Sequence, residues 1–243
     1  MASLFHTFLV VPLYNLLIIL VGIIPGGDIG IAVILLTLIV KLIIMPLSLS
    51  ALTTQRRMRL VEPELKKIRE TLKEDKEEQA KQTFALYKKY GIKPFSSIIT
   101  LFIQLPILFA LYNIFRQATL VHVDLTLLYS FVHAPAVISP LFLGFFVVAS
   151  HSIILTVIAA IMQFVQARYT IPLPEKSTSK NPTMAEELGR SMALQSRFML
   201  PLIIGAVSYF GSCAIALYFI TSSVVALLQE VVVRRAKHPF PTS

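Results

Sequence analysis

The chain has 243 residues, of which 56% are hydrophobic and only 14% are charged. Soluble domains carry about 25% charged residues, so this composition excludes an ordinary water-surrounded globule and is typical of a protein with several membrane spans. A net charge of +9 would indicate nucleic-acid binding only if the basic residues formed one face of a folded domain. The single cysteine, Cys213, excludes an internal disulfide and a cysteine-built zinc site.

The N-terminal segment, residues 4–24, is apolar but contains Pro12 and Asn15. It has no basic stretch before the apolar residues, so it is a poor signal peptide. We predict that residues 1–28 comprise an amphipathic helix on the membrane surface and, at residues 25–28, a turn. A sixth, marginal membrane span is the alternative.

Three further apolar stretches are each long enough to cross a bilayer core of about 30 Å as a helix. They predict membrane spans at residues 29–50, 95–116 and 140–165. The last apolar run, residues 198–228, is 31 residues long, which is too long for one comfortable span and too short for two long ones. The distribution of basic residues decides how this run is divided.

Lysines and arginines are concentrated in the segments between the spans, with twelve of the 22 between residues 56 and 93. If the run 198–228 forms two short spans that meet at residues 209–212, then 20 of the 22 lie on one side, as the positive-inside rule requires of the cytoplasm. We therefore expect an all-α polytopic membrane protein with five transmembrane helices, the N-terminus outside and the C-terminus inside. The other predicted segments are the fourth and fifth spans at 198–211 and 213–232, an external loop at 117–139, a cytoplasmic loop at 166–197 and a basic cytoplasmic tail at 233–243.

Residues 51–94 are the most polar part of the chain and predict a cytoplasmic hairpin of two helices. Apolar residues in its first half recur at intervals of 3, 4, 3 and 4 residues, which predicts a seam for a partner helix. A polar turn at residues 73–78 follows. The seam residues are Met58, Val61, Leu65, Ile68 and Leu72 in the first helix and Ala80, Phe84 and Tyr87 in the second.

The hairpin carries twelve basic and seven acidic residues, a net charge of +5. The charges either only solvate the hairpin, or they make it a docking element for anionic partners such as lipid headgroups, ribosomal RNA or an emerging chain. No nucleic-acid recognition fold accompanies these charges, so we do not expect sequence-specific nucleic-acid binding. The candidate docking residues are Arg56, Arg57, Arg59, Lys66, Lys67, Lys88 and Lys89.

Lys41 lies inside the first predicted span, with apolar neighbours on both sides. A lysine at the centre of a spanning helix costs about 2.5–3.5 kcal/mol on insertion scales, and an intramembrane cation is therefore a functional-site hypothesis. We predict that Lys41 faces a water-containing cavity in the inner half of the membrane; a snorkelling lysine without a function is the alternative. The polar residues that could line this cavity are Thr37, Gln104, Gln163, Tyr218, Thr221 and Ser222.

Several blocks of sequence, taken in chain order, carry a family resemblance. The most specific is Gln104-Leu105-Pro106-Ile107-Leu108-Phe109-Ala110-Leu111-Tyr112. The others are Pro12-Leu13-Tyr14-Asn15, residues 34–41 with Pro46-Leu47, Glu62-Pro63-Glu64-Leu65-Lys66 and Leu86-Tyr87-Lys88-Lys89-Tyr90-Gly91. With these blocks the chain resembles the YidC family of membrane protein insertases, relatives of the mitochondrial Oxa and chloroplast Alb insertases.

The resemblance implies a five-span core with a hydrophilic groove that is open to the cytoplasm and to lipid and closed on the outer side. The family normally has an arginine at the position of Lys41, and lysine keeps the charge without the planar fork of donors. Gln104 corresponds to the family's groove glutamine, and Tyr218 and Phe219 correspond loosely to its aromatic residues. The sequence departs at residues 211–213, Gly-Ser-Cys, where the family usually has a Pro-Gly turn.

The implied function is to receive the hydrophilic flanks of nascent membrane proteins in this groove and to release their apolar helices into the lipid of a bacterial plasma membrane. Nascent membrane proteins are the implied partners, and a Sec translocon, the ribosome and anionic lipids are further candidates. The resemblance implies no cofactor, no metal and no enzymatic activity.

Three other functions compete with this one. A small-anion transporter or channel would use Lys41 as its anion site, although the sequence shows no internal repeat and no second intramembrane ionisable residue. A structural scaffold would give Lys41 no role. An intramembrane protease would require a motif that the sequence lacks, and its nearest candidate pair is His151 with Ser208 or Ser212.

Overall fold

A computed structural model gives the fold of the chain and describes residues 2–93, 96–116, 123–170 and 184–235. The chain forms two compact units. The first unit comprises Met1–Lys41 and Pro106–Leu228, and the second comprises Leu42–Leu105 and Gln229–Ser243.

The described residues form eight α-helices and one short antiparallel hairpin of two strands. A π-helical segment, His6–Val10, joins the first two helices. The helices are α1 (Ala2–Phe5), α2 (Val11–Ile23), α3 (Ile29–Thr71), α4 (Lys76–Lys89), α5 (Ser96–Arg116), α6 (Ile153–Thr170), α7 (Met184–Phe210) and α8 (Cys213–Arg235), and the strands are β1 (Leu141–Phe142) and β2 (Phe146–Val147).

The helices confirm the predicted all-α polytopic architecture. Within the described part of the chain, four helical segments are long and apolar enough to cross a membrane, and two shorter apolar segments accompany them. The four are His6–Ile23, Ile29–Thr71, Ile153–Thr170 and Cys213–Arg235, and the shorter two are Phe102–Phe115 and Arg197–Phe210.

The last apolar run is divided into two helices, since α7 ends at Phe210 and α8 begins at Cys213. The break lies within residues 209–212, where the charge distribution predicts it. Gly211 fits the tight space at this point, because a Cβ there would lie 2.5 Å from the side chain of Ile215 and 2.7 Å from the carbonyl oxygen of Val207.

The predicted third span, residues 140–165, is wrong at its start, because α6 begins only at Ile153. The residues before α6 form the hairpin of β1 and β2, in which Leu141 pairs with Val147. Leu143 and Gly144 in its turn have φ angles of 51° and 78°, which a right-handed helix does not allow. A short apolar run can form either a strand or part of a helix. Apolar character alone therefore placed the start of this span too early.

Other predicted boundaries also differ from the structure. The first predicted span, 29–50, does not end at residue 50, because α3 continues into the hairpin to Thr71. The predicted cytoplasmic loop, 166–197, overlaps the end of α6 and the first turns of α7. Residues 117–122, 171–183 and 236–243, which belong to predicted loops and to the predicted tail, lie outside the described residues.

Helix α2 turns its polar residues toward the inside of the protein, and its predicted position on the membrane surface stays a prediction. The exposed residues Ile19 and Ile23 are apolar, whereas the polar Tyr14 and Asn15 are buried. The polar side chains of α2 make their contacts inside the protein.

Tyr14 and Asn15 hold the segment that follows residue 122. The Nδ2 group of Asn15 donates to the carbonyl oxygen of Leu127 at 2.8 Å, and its Oδ1 accepts from the backbone N–H of Tyr129 at 2.8 Å. The hydroxyl of Tyr14 accepts from the backbone N–H of Asp124 at 2.8 Å. Two consecutive residues of α2 therefore fix the loop on the first unit.

Asp28 joins the start of α3 to the β-hairpin. Its Oδ1 accepts from the N–H of Ile31 at 3.0 Å, which caps α3, and its Oδ2 accepts from the N–H of Leu143 at 2.8 Å. The preceding Gly27 has a φ of 63°, and a Cβ there would lie 2.2 Å from the carbonyl oxygen of Val137. Only glycine allows this close approach.

The first residues of α8 are capped by the backbone of the same loop. The N–H of Cys213 donates to the carbonyl oxygen of Ser150 at 2.7 Å, and that of Ala214 donates to Val148 at 3.2 Å. These bonds satisfy N–H groups that a helix N-terminus otherwise leaves without a partner. The starts of α3, α6 and α8 therefore lie at one end of the first unit, which we call the loop end.

In the second unit, α3 and α4 form the predicted helical hairpin around a small apolar core. Asp75 caps α4 by accepting from the N–H of Glu78 at 2.9 Å, and Gly91, with a φ of 59°, follows its end. The buried core residues are Val61, Leu65, Leu86 and Ile92, with Met58, Ile68, Tyr87 and Tyr90 packed against them.

The predicted seam of the first helix is largely confirmed, but that of α4 is wrong for two of its three residues. Ala80 and Phe84 are exposed, and Phe84 is 64% accessible. The side that faces α3 contains Leu86, Tyr87 and Tyr90. With 3.6 residues per turn, Tyr87 lies at the border between the buried face of α4 and the exposed face that carries Ala80 and Phe84. The spacing of apolar residues therefore did not show which of the two faces is buried.

Candidate functional site

Lys41 lies at the flank of the buried side of α3. Val40 and Ile44 are buried, whereas Leu42 and Ile43 are 59% and 70% exposed. Lys41 itself is half-buried and follows the fully buried Thr37 by about one turn. The ammonium-bearing side chain is therefore attached beside the buried face of α3 and away from its most exposed, apolar face.

Thr37 contributes a buried hydroxyl whose hydrogen bond stays within its own helix. Its Oγ1 donates to the carbonyl oxygen of Val33 at 2.7 Å. A threonine bonded in this way is tolerated in an apolar helix because its polar group has a local partner. The role of Thr37 as a lining residue stays a prediction.

Gln163 of α6 is buried and is hydrogen-bonded to α8. Its Oε1 accepts from the hydroxyl of Ser223 at 3.1 Å. The predicted lining residue Ser222 is only half-buried, whereas its neighbour Ser223, which was not predicted, is buried. Neighbouring residues on a helix point about 100° apart, so Ser223 faces α6 where Ser222 does not.

Tyr218 and Thr221 of α8 are both buried. Tyr218 lies at the edge of an apolar pocket of about 430 Å³ in the first unit, between α5, α7 and α8. Its ring also contacts Phe219, with the ring centroids 5.2 Å apart. The pocket is lined by Leu108, Phe109, Leu111, Tyr112, Phe115, Ala206, Val207, Phe210, Gly211, Ile215 and Tyr218.

Gln104 of α5 is half-buried and belongs to the second unit, whereas the other predicted lining residues belong to the first. It therefore stays a predicted lining residue. What the structure does bring together in the first unit is the buried pair of Gln163 and Ser223.

The arginines of the predicted docking set make contacts within the second unit. The Nη1 group of Arg56 donates to the backbone carbonyl of Val233 in α8. The Nη1 group of Arg57 donates to the carbonyl of Gly91 at 2.8 Å, which ties the two ends of the hairpin together. These arginines thus hold the fold of the second unit, a role that the charge pattern of the sequence does not predict.

The four lysines of the same set are exposed. Lys66 and Lys67 lie on the exposed side of α3, and Lys88 and Lys89 lie in the last turn of α4. Lys89 also lies over the ring of Tyr90, 4.9 Å from its centroid. Arginine has a planar group that makes fixed contacts with several donors, whereas lysine carries a compact, strongly hydrated charge. In the hairpin, Arg56 and Arg57 make fixed contacts and the four lysines are exposed.

Glu230 lies within the predicted fifth span, 213–232, so the expectation that Lys41 is the one ionisable residue inside a span is wrong. It is buried in α8, and its carboxylate accepts from the Nε of Arg234 at 2.8 Å. The charges of Glu230 and Arg234 both act on the half-buried Arg59 of α3. In the sequence, the buried pair is indicated only by a glutamate that stands four residues before an arginine at the end of an apolar run. The same spacing is common on exposed helices, so it does not show that Glu230 is buried.

The residues considered for a protease do not form a catalytic pair. The ring of His151 contacts Tyr209, with centroids 5.4 Å apart. The hydroxyls of Ser208 and Ser212 are buried and have no hydrogen-bond partner in the described part of the chain. A serine nucleophile would need its base within hydrogen-bond reach.

Comparison with known proteins gives consistent matches. A family model described as 60Kd inner membrane protein matches residues 20–239. A relative from Clostridium tetani is 26% identical over 211 residues, which cover 87% of this chain and 84% of the relative. A relative from Oceanobacillus iheyensis is 25% identical over 237 residues, covering 96% of this chain and 84% of the relative.

A longer relative, from Psychromonas ingrahamii, is 27% identical over 232 residues, which cover 94% of this chain but 35% of the relative. All three are named membrane protein insertase YidC. The family resemblance drawn from the sequence blocks is therefore confirmed over most of the chain.

Proposed function

Because the chain belongs to the 60Kd inner membrane protein family, we propose that it is a membrane protein insertase, the activity for which its relatives are named. Its family and its apolar helices make it a multi-pass protein of the bacterial plasma membrane. In the proposed arrangement five helices cross the membrane, with the N-terminus outside and the C-terminus inside.

The observation that carries the proposed mechanism is the position of Lys41. It is a cation within an apolar helix, placed beside buried Thr37 and away from exposed Leu42 and Ile43. Insertion of such a lysine is costly, and a lipid-facing position would be the least favourable one. We infer that Lys41 faces a hydrated groove, together with Thr37, Gln104, Gln163, Tyr218, Thr221 and Ser222.

This groove would receive the hydrophilic, acidic flank of a substrate. A polar group that crosses an apolar core without a partner is strongly disfavoured, and water within the groove shortens that path. At 4 Å, two unit charges attract by about 1 kcal/mol in water and by about 4 kcal/mol at an effective dielectric constant of about 20. Lys41 would thus attract a substrate carboxylate more strongly than a surface lysine does.

The apolar part of the substrate would leave through apolar surroundings. The pocket between α5, α7 and α8 contains Phe109, Tyr112 and Phe210, all of them exposed at its border. Such a pocket accepts the side chains of a substrate helix on its way into lipid. Transfer of the helix into lipid supplies the driving force, at roughly 25 cal/mol per Å² of apolar surface.

The hairpin would receive anionic partners through its exposed lysines. Because their side chains are exposed, Lys66, Lys67, Lys88 and Lys89 are the residues we assign to docking. Anionic lipid attracts such lysines by about 1 kcal/mol each near the membrane surface. A ribosome or a Sec translocon would meet the same charges.

A reconstituted insertion assay tests the proposal. Purified protein in liposomes is given a single-span substrate with an acidic N-terminal tail, and insertion is read as protection from an external protease. Lys41→Arg should insert as wild type does, and Lys41→Ala should insert about tenfold more slowly, which corresponds to about 1.4 kcal/mol. Lys73→Ala, which removes an exposed lysine from the hairpin turn, is the matched control and should not differ from wild type.

The possible outcomes separate the parts of the proposal. Equal protection with all variants would retain the insertase and remove the role of Lys41. No protection above that of empty liposomes would contradict autonomous insertion. If chloride efflux instead depended on Lys41, the anion-transport alternative would be correct.

A further inference from the structure

The loop end of the first unit carries a concentration of exposed apolar side chains. Phe145 at the tip of the β-hairpin is 85% exposed, and Phe210 at the end of α7 is 84% exposed. In a water-exposed protein surface, many exposed apolar side chains within one region mark an interaction site. We call these residues the apolar rim: Leu125, Phe131, Val137, Leu143, Phe145 and Phe210.

Charge is almost absent from this part of the chain. Among residues 123–152 the one Asp, Glu, Lys or Arg in the sequence is Asp124. Its carboxylate accepts hydrogen bonds from the hydroxyl and the backbone N–H of Thr126, at 2.6 and 3.0 Å. A loop that serves only to meet water would carry more charge, so the composition favours a partner that is itself apolar.

The backbone of the β-hairpin is largely paired within the protein. The N–H of Leu143 donates to Asp28 at 2.8 Å, that of Phe145 to Phe142 at 3.1 Å, and that of Val148 to Pro140 at 2.8 Å. Lipid offers no hydrogen-bond partners, so non-helical backbone enters it only when it is paired internally. This pairing allows the hairpin to be immersed without leaving polar groups bare.

The apolar rim also continues into the sides of the helices. The ring of His151, just before α6, contacts Tyr209 of α7, and Tyr209 contacts Phe210, with ring centroids 5.4 Å apart in both pairs. Further along α7, Leu202 and Ile203 are also exposed and apolar. Since α7 is an apolar helix of a membrane protein, the rim is continuous with a surface that faces lipid.

We propose that the apolar rim is immersed in the lipid bilayer at the boundary between headgroups and acyl chains, so that the β-hairpin anchors the loop end in the membrane. Tyrosine and tryptophan are enriched at this boundary, and the exposed Tyr129, whose ring is stacked on Phe131 with the centroids 5.4 Å apart, supplies such a ring here. This contact with lipid is independent of whether the protein inserts substrates.

Tryptophan fluorescence tests this contact directly, because the chain contains no tryptophan. Phe145→Trp is reconstituted in phosphatidylcholine vesicles with and without brominated acyl chains, which quench tryptophan on contact. Two further variants serve as references for a tryptophan in lipid and a tryptophan in water. Ile43→Trp replaces a 70% exposed residue of an apolar helix, and Thr71→Trp replaces an exposed residue beside the polar turn of the hairpin.

Brominated lipid should quench Phe145→Trp by at least half as much as it quenches Ile43→Trp, and aqueous acrylamide should quench it far less than Thr71→Trp. A Phe145→Trp signal that matches Thr71→Trp in both tests would overturn the proposal and leave the rim in water. Protection from both quenchers would also overturn it, because a protein surface would then cover the rim. Recovery of acrylamide quenching on dilution of the protein in lipid would identify a second copy as that cover.

The folded state of each variant is checked by its helical circular dichroism in the vesicles. Should Phe145→Trp not fold, Leu143→Trp and Phe131→Trp give the same readout from the tip and from the loop. The proposal predicts quenching by brominated lipid at both positions, and acrylamide quenching at both would reject it.

Discussion

Arg56 of α3 donates a hydrogen bond to the backbone carbonyl of Val233, near the end of α8. A guanidinium at a helix C-terminus both satisfies a carbonyl that lacks a helical partner and interacts favourably with the helix dipole. The base of the basic hairpin and the end of the last helix are thereby one structural unit. Charged residues that the positive-inside rule explains only as topology signals thus also determine local packing.

The buried carboxylate beside this contact is expected to matter for stability. Glu230→Gln removes the carboxylate that accepts a hydrogen bond from Arg234 and whose negative charge acts on Arg59. Both guanidinium groups then lack this neighbouring negative charge. Hydrogen bonds to charged groups contribute about 1.5–3 kcal/mol, and the partial exposure of Arg234 places the loss at about 1–2 kcal/mol. The Tm of the purified protein in detergent should fall accordingly. Glu74→Gln, in the exposed hairpin turn, is the control, and equal Tm values for both variants would contradict the role of Glu230.

Asn15 is expected to be required for the order of the loop that follows residue 122. Asn15→Ala leaves the carbonyl of Leu127 and the N–H of Tyr129 without their partner, at a cost of about 1–3 kcal/mol for each group that stays buried. Amide hydrogen exchange at residues 125–129 should become at least tenfold faster. Asn113→Ala is the matched control, since Asn113 is exposed and its amide bonds to the carbonyl oxygen of Phe109 in its own helix. Similar exchange in the two variants would show that the loop is held by other contacts.

Asp124 should make the same loop sensitive to acid. Hydrogen bonds from the hydroxyl and the N–H of Thr126 lower the pKa of this carboxyl below its ordinary value of 3.8. The charged form is thus favoured in the folded loop, so its stabilising contribution is complete above about pH 4 and is lost as the pH falls through the lowered pKa. Protection of the Thr126 amide, corrected for intrinsic exchange, should therefore decrease below pH 4 in wild type. Asp124→Asn should show lower protection with no such pH dependence, and an identical decrease in both proteins would assign the effect to another group.

The two faces of α4 can be distinguished by truncation. Leu86→Ala removes a buried side chain from the hairpin core and should destabilise it by about 2–5 kcal/mol, whereas Phe84→Ala changes an exposed position and should stay within about 0.5 kcal/mol. Limited proteolysis of the hairpin measures both. A larger effect of Phe84→Ala would restore the seam that the sequence pattern predicts.

Much of the fold follows from the sequence because two physical signals are strong. The separation of α7 from α8 follows from where the basic residues must lie, and the hairpin follows from a regular apolar spacing. The β-hairpin before α6 could not be predicted in this way. Its apolar residues resemble those of a span, and its existence depends on the contact of Leu143 with distant Asp28.

The site shows the same limit at the level of single residues. Composition indicates a buried polar group on α8, but only the packing of α8 on α6 decides that Ser223, and not Ser222, bonds to Gln163. Likewise the charges of the hairpin are evident, while the division between engaged arginines and exposed lysines depends on distant partners such as Val233 and Gly91. Contacts between residues far apart in sequence leave no local pattern to find.

The backbone caps of α8 have a consequence for the order of assembly. The carbonyls of Val148 and Ser150 accept from Ala214 and Cys213, donors that the ribosome adds only after α6 and α7 are complete. Until then this stretch of the loop lacks two of its partners, and α8 lacks its start. The closing of the loop end is therefore a late event in biogenesis, which depends on the arrival of the final helix.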